Sequence, residues 1–329
     1  MEVNTMRNIV FADSFHLSPA AEERIASIGT IFRCSLDERE RLLAAAPGAD
    51  LIVAEYARID EELLARCEKL RGIIVYGIGV NHIDLEAASK RGVPVANSRG
   101  GNAEAVAELA LSLMLECLRR TGRANSFITS GQWNAGDSAA LPSWMQGREL
   151  KGKTLGILGP GAIGGRVGVL GEAFGMRVVV YGGNTYSGAW SRLSLDDLLS
   201  AADIVSVNLP LVESTAGLLS REKLQRMKNG SLLVVTSRGG IVDEAALAML
   251  LSAGHIAGAG LDVFAEEPLP ASSPLLSAPN IVLTPHMGGS TEEAVINISN
   301  IIAECCAALL AGRLPETTVN KKLLTTGDR

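Results

Sequence analysis

Aromatic side chains are scarce here: Phe, Trp and Tyr together make up 4% of 329 residues. A core of large rings is therefore excluded, and burial must come from aliphatic residues. The five cysteines (Cys34, Cys67, Cys117, Cys305 and Cys306) are odd in number and lack the spacing of a metal site or a disulfide framework. Cys305 and Cys306 are adjacent inside an apolar helical run and read as small core residues. No metal and a reducing, cytoplasmic compartment are expected. No long basic block is present and the net charge is −6, which argues against nucleic acid or acidic membranes as partners. Met1 to Asn8 contain no apolar signal core. The apolar helical pattern Val106 to Leu118 is broken by Glu108, Ser112 and Glu116, so no bilayer span is expected.

Glycine, by contrast, is plentiful at 35 residues, and apolar residues reach 47% against 20% charged. That balance suits a folded α/β protein with tight strand-to-helix turns. The length predicts two domains. Aliphatic or β-branched runs recur at Ile9–Phe11, Leu51–Ala54, Ile73–Tyr76 and Val93–Ala96. They resume at Thr154–Leu158, Val178–Tyr181, Ile204–Val207, Leu232–Thr236, Gly260–Phe264 and Ile281–Thr284. Runs apolar throughout predict strands covered on both faces, and their alternation with helical segments predicts doubly wound parallel sheets. Two helices break the rhythm. One starts near Asn102, a candidate N-cap, and ends near Arg119; the other opens with the capping-box pattern Ser290-Thr291-Glu292-Glu293 and ends at Gly312. Between the first helix and Thr154 the stretch Thr121–Lys153, with Trp133 and Trp144, reads as loop-rich. Taking both helices as crossings gives a discontinuous domain, 1–100 plus 290–329, and a cofactor domain, 101–289.

Thr154-Leu-Gly-Ile-Leu-Gly159-Pro-Gly161-Ala-Ile-Gly164 is a strand entering G-x-G-x-x-G, followed by a helical Gly165–Phe174. Gly159 serves the turn, Gly161 admits a pyrophosphate, and Gly164 lets helix and strand pack closely. The free N–H groups at the helix start, Ala162 and Ile163, then face the phosphates. After the second strand of this domain the acid expected for the ribose is replaced by Gly182, followed by Gly183-Asn184-Thr185. NAD and NADP both remain open, with Asn184, Thr185 or Ser187 as candidate contacts.

Downstream, Arg238, Glu267 and His286 each lie at or soon after the end of an apolar run. In an open α/β sheet those ends are where ligands bind. Alone, each has a plain alternative: a surface Arg at a helix start, a solvated loop Glu, a His capping a turn. Together beside a dinucleotide loop they supply the parts for reducing a 2-keto acid. His exchanges protons near neutrality, a neighbouring carboxylate stabilises its charged form, and Arg binds a planar carboxylate and polarises the adjacent carbonyl.

The whole chain resembles the D-isomer-specific 2-hydroxyacid dehydrogenase family. The carrying segments are Tyr76-Gly-Ile-Gly-Val-Asn-His-Ile-Asp84, Gly101-Asn-Ala-Glu-Ala-Val-Ala-Glu108, the fingerprint with Leu150–Lys153 before it, Ser237-Arg-Gly-Gly-Ile-Val-Asp243, Leu261–Phe264 with Glu267-Pro268, and Thr284-Pro-His-Met-Gly-Gly289. The resemblance implies a Rossmann cofactor domain inserted into a flavodoxin-like substrate domain. It implies His286 as acid/base, Glu267 as its partner, Arg238 as substrate anchor, and the backbone of Ile78 and Gly79 as carboxylate ligands. Implied cofactor positions are Val106, Leu209, Pro210, Thr215, Thr236, Ser237, Asp262 (on the nicotinamide amide), His286 and Gly288, beside Gly161, Ala162 and Ile163. It also implies a homodimer through the helix after Asn102 and the Thr121–Lys153 stretch. Glyoxylate, hydroxypyruvate or a similar acid is the expected substrate. An NAD(H)-sensing corepressor on the same fold is the alternative, disfavoured by the complete triad and the acidic charge; a formate-dehydrogenase-like site would carry an amide in place of Glu267. With little chain after residue 313, no C-terminal regulatory module is expected. Arg99, where Pro is common, is either a solvated side chain or a contact for a second acidic group on the substrate; Arg99 and Arg58 are the candidates should that group be a phosphate.

Overall fold

The structure is a computed structural model that describes residues 7–133, 142–183 and 188–324. Asn184, Thr185 and Ser187 lie outside the described residues. Two compact units divide the chain: Met1–Asn102 with Ser290–Arg329, and Ala103–Gly289.

The first unit is a five-stranded parallel sheet of β1 (Asn8–Phe11), β2 (Thr30–Arg33), β3 (Leu51–Ala54), β4 (Gly72–Val75) and β5 (Val95–Asn97), in the order β2-β1-β3-β4-β5. Helices α1 (Pro19–Ala26), α2 (Arg39–Ala45), α3 (Glu61–Arg66) and α4 (Leu85–Lys90) connect them. Every residue of β3 and β4 is buried, as parallel strands covered on both faces require. One face packs Ile52, Ile73 and Val75 against Leu63 and Leu64; the other packs Phe11, Leu51 and Ile74 against Ile25 and Ile302.

The second unit opens with α5 (Ala103–Arg119) and α6 (Thr121–Thr129). Its seven parallel strands are β6 (Thr154–Leu158), β7 (Arg177–Tyr181), β8 (Ser191–Arg192), β9 (Ile204–Val207), β10 (Ser231–Val235), β11 (Ile256–Leu261) and β12 (Ile281–Leu283). They run in the order β12-β11-β10-β9-β6-β7-β8, with α7 (Ala162–Ala173), α8 (Leu195–Ala201), α9 (Arg221–Gln225) and α10 (Glu244–Ser252) between them. Strand order reverses between β6 and β9, the switch point at which such sheets hold a dinucleotide.

The chain then re-enters the first unit as α11 (Glu292–Leu310) and α12 (Lys321–Leu324). By length and hydropathy α11 could cross a membrane, but its apolar stripe of Ile298, Ile302, Cys306 and Leu309 is buried on the five-stranded sheet. Thr291, not Ser290, is its cap, accepting from Ala294 N at 3.1 Å. Past α11, the Asn320 side chain fixes the β5 edge, accepting from Val95 N at 2.9 Å and donating to Val93 O at 3.0 Å.

Four elements differ from the sequence reading. β2 and β8 were not expected, because the first is a largely exposed edge strand and the second is two exposed residues with no apolar signal. β11 begins at Ile256 and ends at Leu261, earlier than the run Gly260–Phe264. Residues Thr121–Thr129 of the loop-rich stretch form α6. Asn102 does not cap α5 with its side chain: its Oδ1 is buried without a hydrogen-bond partner.

Candidate active site

The glycine loop after β6 has the form a dinucleotide needs. A Cβ at Gly164 would lie 2.2 Å from Gly159 O, so only glycine lets α7 start this close to the strand end. A Cβ at Gly161 meets nothing within 4 Å, leaving the approach open. Gly161 offers no side-chain cap to α7, and within the helix ladder bonding starts only with Gly165 N donating to Gly161 O at 2.7 Å. The Ala162 and Ile163 N–H groups at this helix start suit a pyrophosphate. At the end of β10, Thr236 and Ser237 are 6% and 9% exposed, and neither hydroxyl oxygen has a partner. Buried hydroxyls are normally satisfied, so a bound polar ligand fits this position.

Two implied cofactor positions have local work of their own. The Thr215 hydroxyl donates to Pro210 O at 2.5 Å and accepts from Val212 N at 2.9 Å, closing the turn after Leu209. Val106 packs beside Gly288, where a Cβ would lie 3.4 Å from its Cγ2. The glycine at the ribose position also has a structural reason. Gly182 has φ +78°, a left-handed conformation in which an acidic side chain would be strained.

The three chemistry-bearing residues lie in this same unit, and two of them pair. His286 Nδ1 lies 2.7 Å from Glu267 Oε2. Glu267 Oε1 accepts from Phe264 N at 2.9 Å, so the carboxylate is fixed from both ends. With the carboxylate taking the Nδ1 side, Nε2 is the nitrogen left to exchange a proton. Arg238 follows β10, and its Nη1 donates to Ser237 O at 2.7 Å. Its neighbour Gly239 is pressed so closely on the Glu267 loop that a Cβ there would sit 1.8 Å from Phe264 O.

His286 itself has φ +53°. The loop around it is held by Asp262, which is 1% exposed. Its Oδ1 accepts from Thr284 Oγ1 (2.7 Å) and Met287 N (2.9 Å), and its Oδ2 accepts from Gly288 N (2.8 Å). Asp262, expected on the nicotinamide amide, thus has three bonds to its own chain. That role was not visible in the sequence. Ile78 and Gly79 lie in the other unit, where Gly77 N donates to Ser98 Oγ (2.6 Å) and Asn97 Nδ2 donates to Ile78 O (2.8 Å). Trp144 packs edge-on to Phe127 of α6, with the Arg123 guanidinium 4.1 Å from its ring centroid.

Comparison with known proteins gives this arrangement a family. The model for the NAD-binding domain of D-isomer specific 2-hydroxyacid dehydrogenases matches residues 111–288. The chain is 39% identical to a glyoxylate reductase of Aeropyrum pernix across 87% of each chain. It is 40% identical to a D-3-phosphoglycerate dehydrogenase of Mycobacterium bovis across 86% of this chain but 53% of that one. A glyoxylate/hydroxypyruvate reductase of Sinorhizobium meliloti, solved with NADP and malonate, aligns at 27% identity with a TM-score of 0.85, covering 96% of this chain and 97% of that one. With the flavodoxin-like and Rossmann strand orders, these matches establish that the chain belongs to the D-isomer specific 2-hydroxyacid dehydrogenase family and is an NAD(P)-dependent oxidoreductase.

Proposed function

We propose that this enzyme reduces a small 2-keto acid, of the glyoxylate or hydroxypyruvate type, to its D-2-hydroxy acid. The observation that carries the reading is the 2.7 Å pairing of His286 with Glu267 beside the Arg238 loop. NAD(P)H, when bound, supplies the hydride that adds to C2 of the keto acid. His286 gives the Nε2 proton to the carbonyl oxygen, which leaves a hydroxyl group on the product. Glu267 stabilises the charged ring before transfer and fixes its orientation. Arg238 binds the substrate carboxylate and polarises the carbonyl. Ala162 and Ile163 N–H groups hold the pyrophosphate, and the Thr236 and Ser237 hydroxyls find partners on the cofactor.

His286→Ala is expected to lower kcat by about three orders of magnitude while cofactor affinity is kept. Near-normal turnover in that variant would overturn the assignment. Gly182 removes the carboxylate that would repel a 2′-phosphate, so both cofactors are proposed to work. A preference for NADH above about a hundredfold in kcat/KM would contradict that, since one lost charge contact is worth on the order of 1.5–3 kcal/mol. We further propose a homodimer built on α5 and α6. A groove there is lined by Leu111, Leu115 and Leu170, and α6, which buries no residue, exposes Ile128 by 53%.

A further inference from the structure

The turn Val263–Glu267 presents two consecutive N–H groups, and two different carboxylates accept them. Phe264 N donates to Glu267 Oε1 at 2.9 Å, and Ala265 N donates to Glu244 Oε1 at 2.6 Å. Glu244 is the first residue of α10, whose start is fixed by Asp243, accepting from Ala246 N at 2.9 Å. It therefore acts as a strut between a packed helix and the backbone that carries the partner of His286.

An acid in the first turn of a helix is ordinary, because it complements the dipole. This one is half-buried, bonded across to another loop and set near a second carboxylate. Burial first, then the charge of Glu267, push the Glu244 pKa up, against the Ala265 hydrogen bond that lowers it. The neighbouring elements bear other charges: Asp243 on the same helix, Arg221, Glu222 and Lys223 on α9, and Asp262 and Glu266 beside the turn. Beside these stands the Glu267 carboxylate, whose charge raises the Glu244 pKa further. Holding two like charges together is unfavourable, so the arrangement calls for a compensating use.

We propose that Glu244 is a positioning residue of the acid–base pair: it pins the turn that carries Glu267, the partner of His286. The proposal rests on His286 being the proton donor in keto-acid reduction. Losing one of two anchors lets the Glu267 carboxylate drift from Nδ1, and a displacement of about 1 Å in such a group lowers turnover on the order of a hundredfold.

The test compares Glu244→Ala with Glu244→Gln by steady-state reduction of glyoxylate and hydroxypyruvate across pH, with NAD(P)H binding measured separately. Glu244→Ala is expected to lower kcat at least about tenfold while cofactor affinity stays within about twofold. Glu244→Gln keeps an oxygen for Ala265 N, so most of that kcat returns. Wild-type kcat in the Ala variant overturns the proposal. So does a Gln variant that recovers none of the lost kcat. If the Ala variant does not fold, Glu244→Asp, which keeps the acid but shortens its reach to Ala265 N, carries the test, and wild-type kcat there overturns the proposal. Absence of any keto-acid turnover in the unsubstituted enzyme refutes the functional reading, and this proposal with it.

Discussion

Replacing Glu55 by Gln should make the protein more stable above neutrality and leave it unchanged in acid. Phe11, Val53 and Ile74 face one another across β1, β3 and β4. Two residues further on, Asp13, Glu55 and Tyr76 continue that row at the strand ends, on the face that packs against α1 and α11. Asp13 is 3% exposed, and its Oδ2 accepts from Glu55 N (2.6 Å) and Tyr56 N (3.1 Å), while its Oδ1 is buried without a partner. The backbone of Glu55 thus holds a carboxylate beside its own side chain. Burial first, and the Asp13 charge second, raise the Glu55 pKa from 4.5 to about 7.

A rise of 7 − 4.5, about 2.5 units, corresponds to about 3.4 kcal/mol for a fully desolvated group. Glu55 keeps part of its surface open, so solvent screening reduces this to roughly 1.5 kcal/mol. The folded state holds the proton longer than the unfolded chain. Stability is therefore lost as pH rises from about 4.5 to 7, and the full deficit stands above 7. Gln carries no charge and escapes it. Thermal unfolding at pH 4 and pH 8 is the assay, with the unsubstituted protein beside the variant so that other titrations cancel. The variant should melt about 3–6 °C higher at pH 8 and within about 1 °C at pH 4. An equal difference at both pH values would refute the reasoning, because a packing change does not titrate.

Two shorter predictions concern the other unit. Asp262→Asn puts an N–H donor against the Gly288 N–H, or removes the acceptor shared by Thr284 and Met287; each bond to a charged group is worth about 1.5–3 kcal/mol. Turnover should fall at least about tenfold, and an unchanged kcat would show that the His286 loop holds its shape without the clamp. Ile128→Asp places a charge on the exposed face of α6, and sedimentation at micromolar concentration should then show monomers; an undiminished dimer would move the interface elsewhere.

The strands were legible where burial is two-sided, since β3 and β4 are apolar at nearly every position. They were not legible where packing demands small residues. β11 reads Ile256-Ala-Gly-Ala-Gly-Leu261 because α5 crosses it: a Cβ at Gly260 would lie 2.7 Å from Leu113 Cβ. That hides the apolar signal and shifted the expected strand toward Phe264. Arg238, Glu267 and His286 could be picked out because each closes or follows a strand of one sheet. The loop-holding roles of Asp262, named for the nicotinamide, and of Glu244, not singled out at all, could not. Asp262 and Glu244 act on backbone N–H groups, and the direction of an N–H is set by the turn, not by the identity of the residue that owns it. In the sequence Glu244 follows Asp243 as one more acid at a helix start. Asn102 shows the converse error: a residue type suited to capping is present, and its Oδ1 goes unused.

The conformation of His286 shows why such supports are needed. A non-glycine residue at φ +53° is disfavoured by roughly 1–2 kcal/mol, a cost that the surrounding bonds must offset. The preceding Pro285 lacks an N–H, and His286 N turns back to Thr284 O at 3.0 Å, so the chain reverses sharply just before the ring. Left to itself, the loop would relax and carry the imidazole away from Glu267. Asp262 opposes that relaxation from beneath, because its bonds fall on both sides of His286, to Thr284 before it and to Met287 and Gly288 after it. Three charge-assisted bonds in a buried place outweigh one strained dihedral. Glu267 and Glu244 then fix the other half of the pair. The placement of the proposed proton donor thus rests on carboxylates bonded to the backbone of both loops, and not on the histidine and its partner alone.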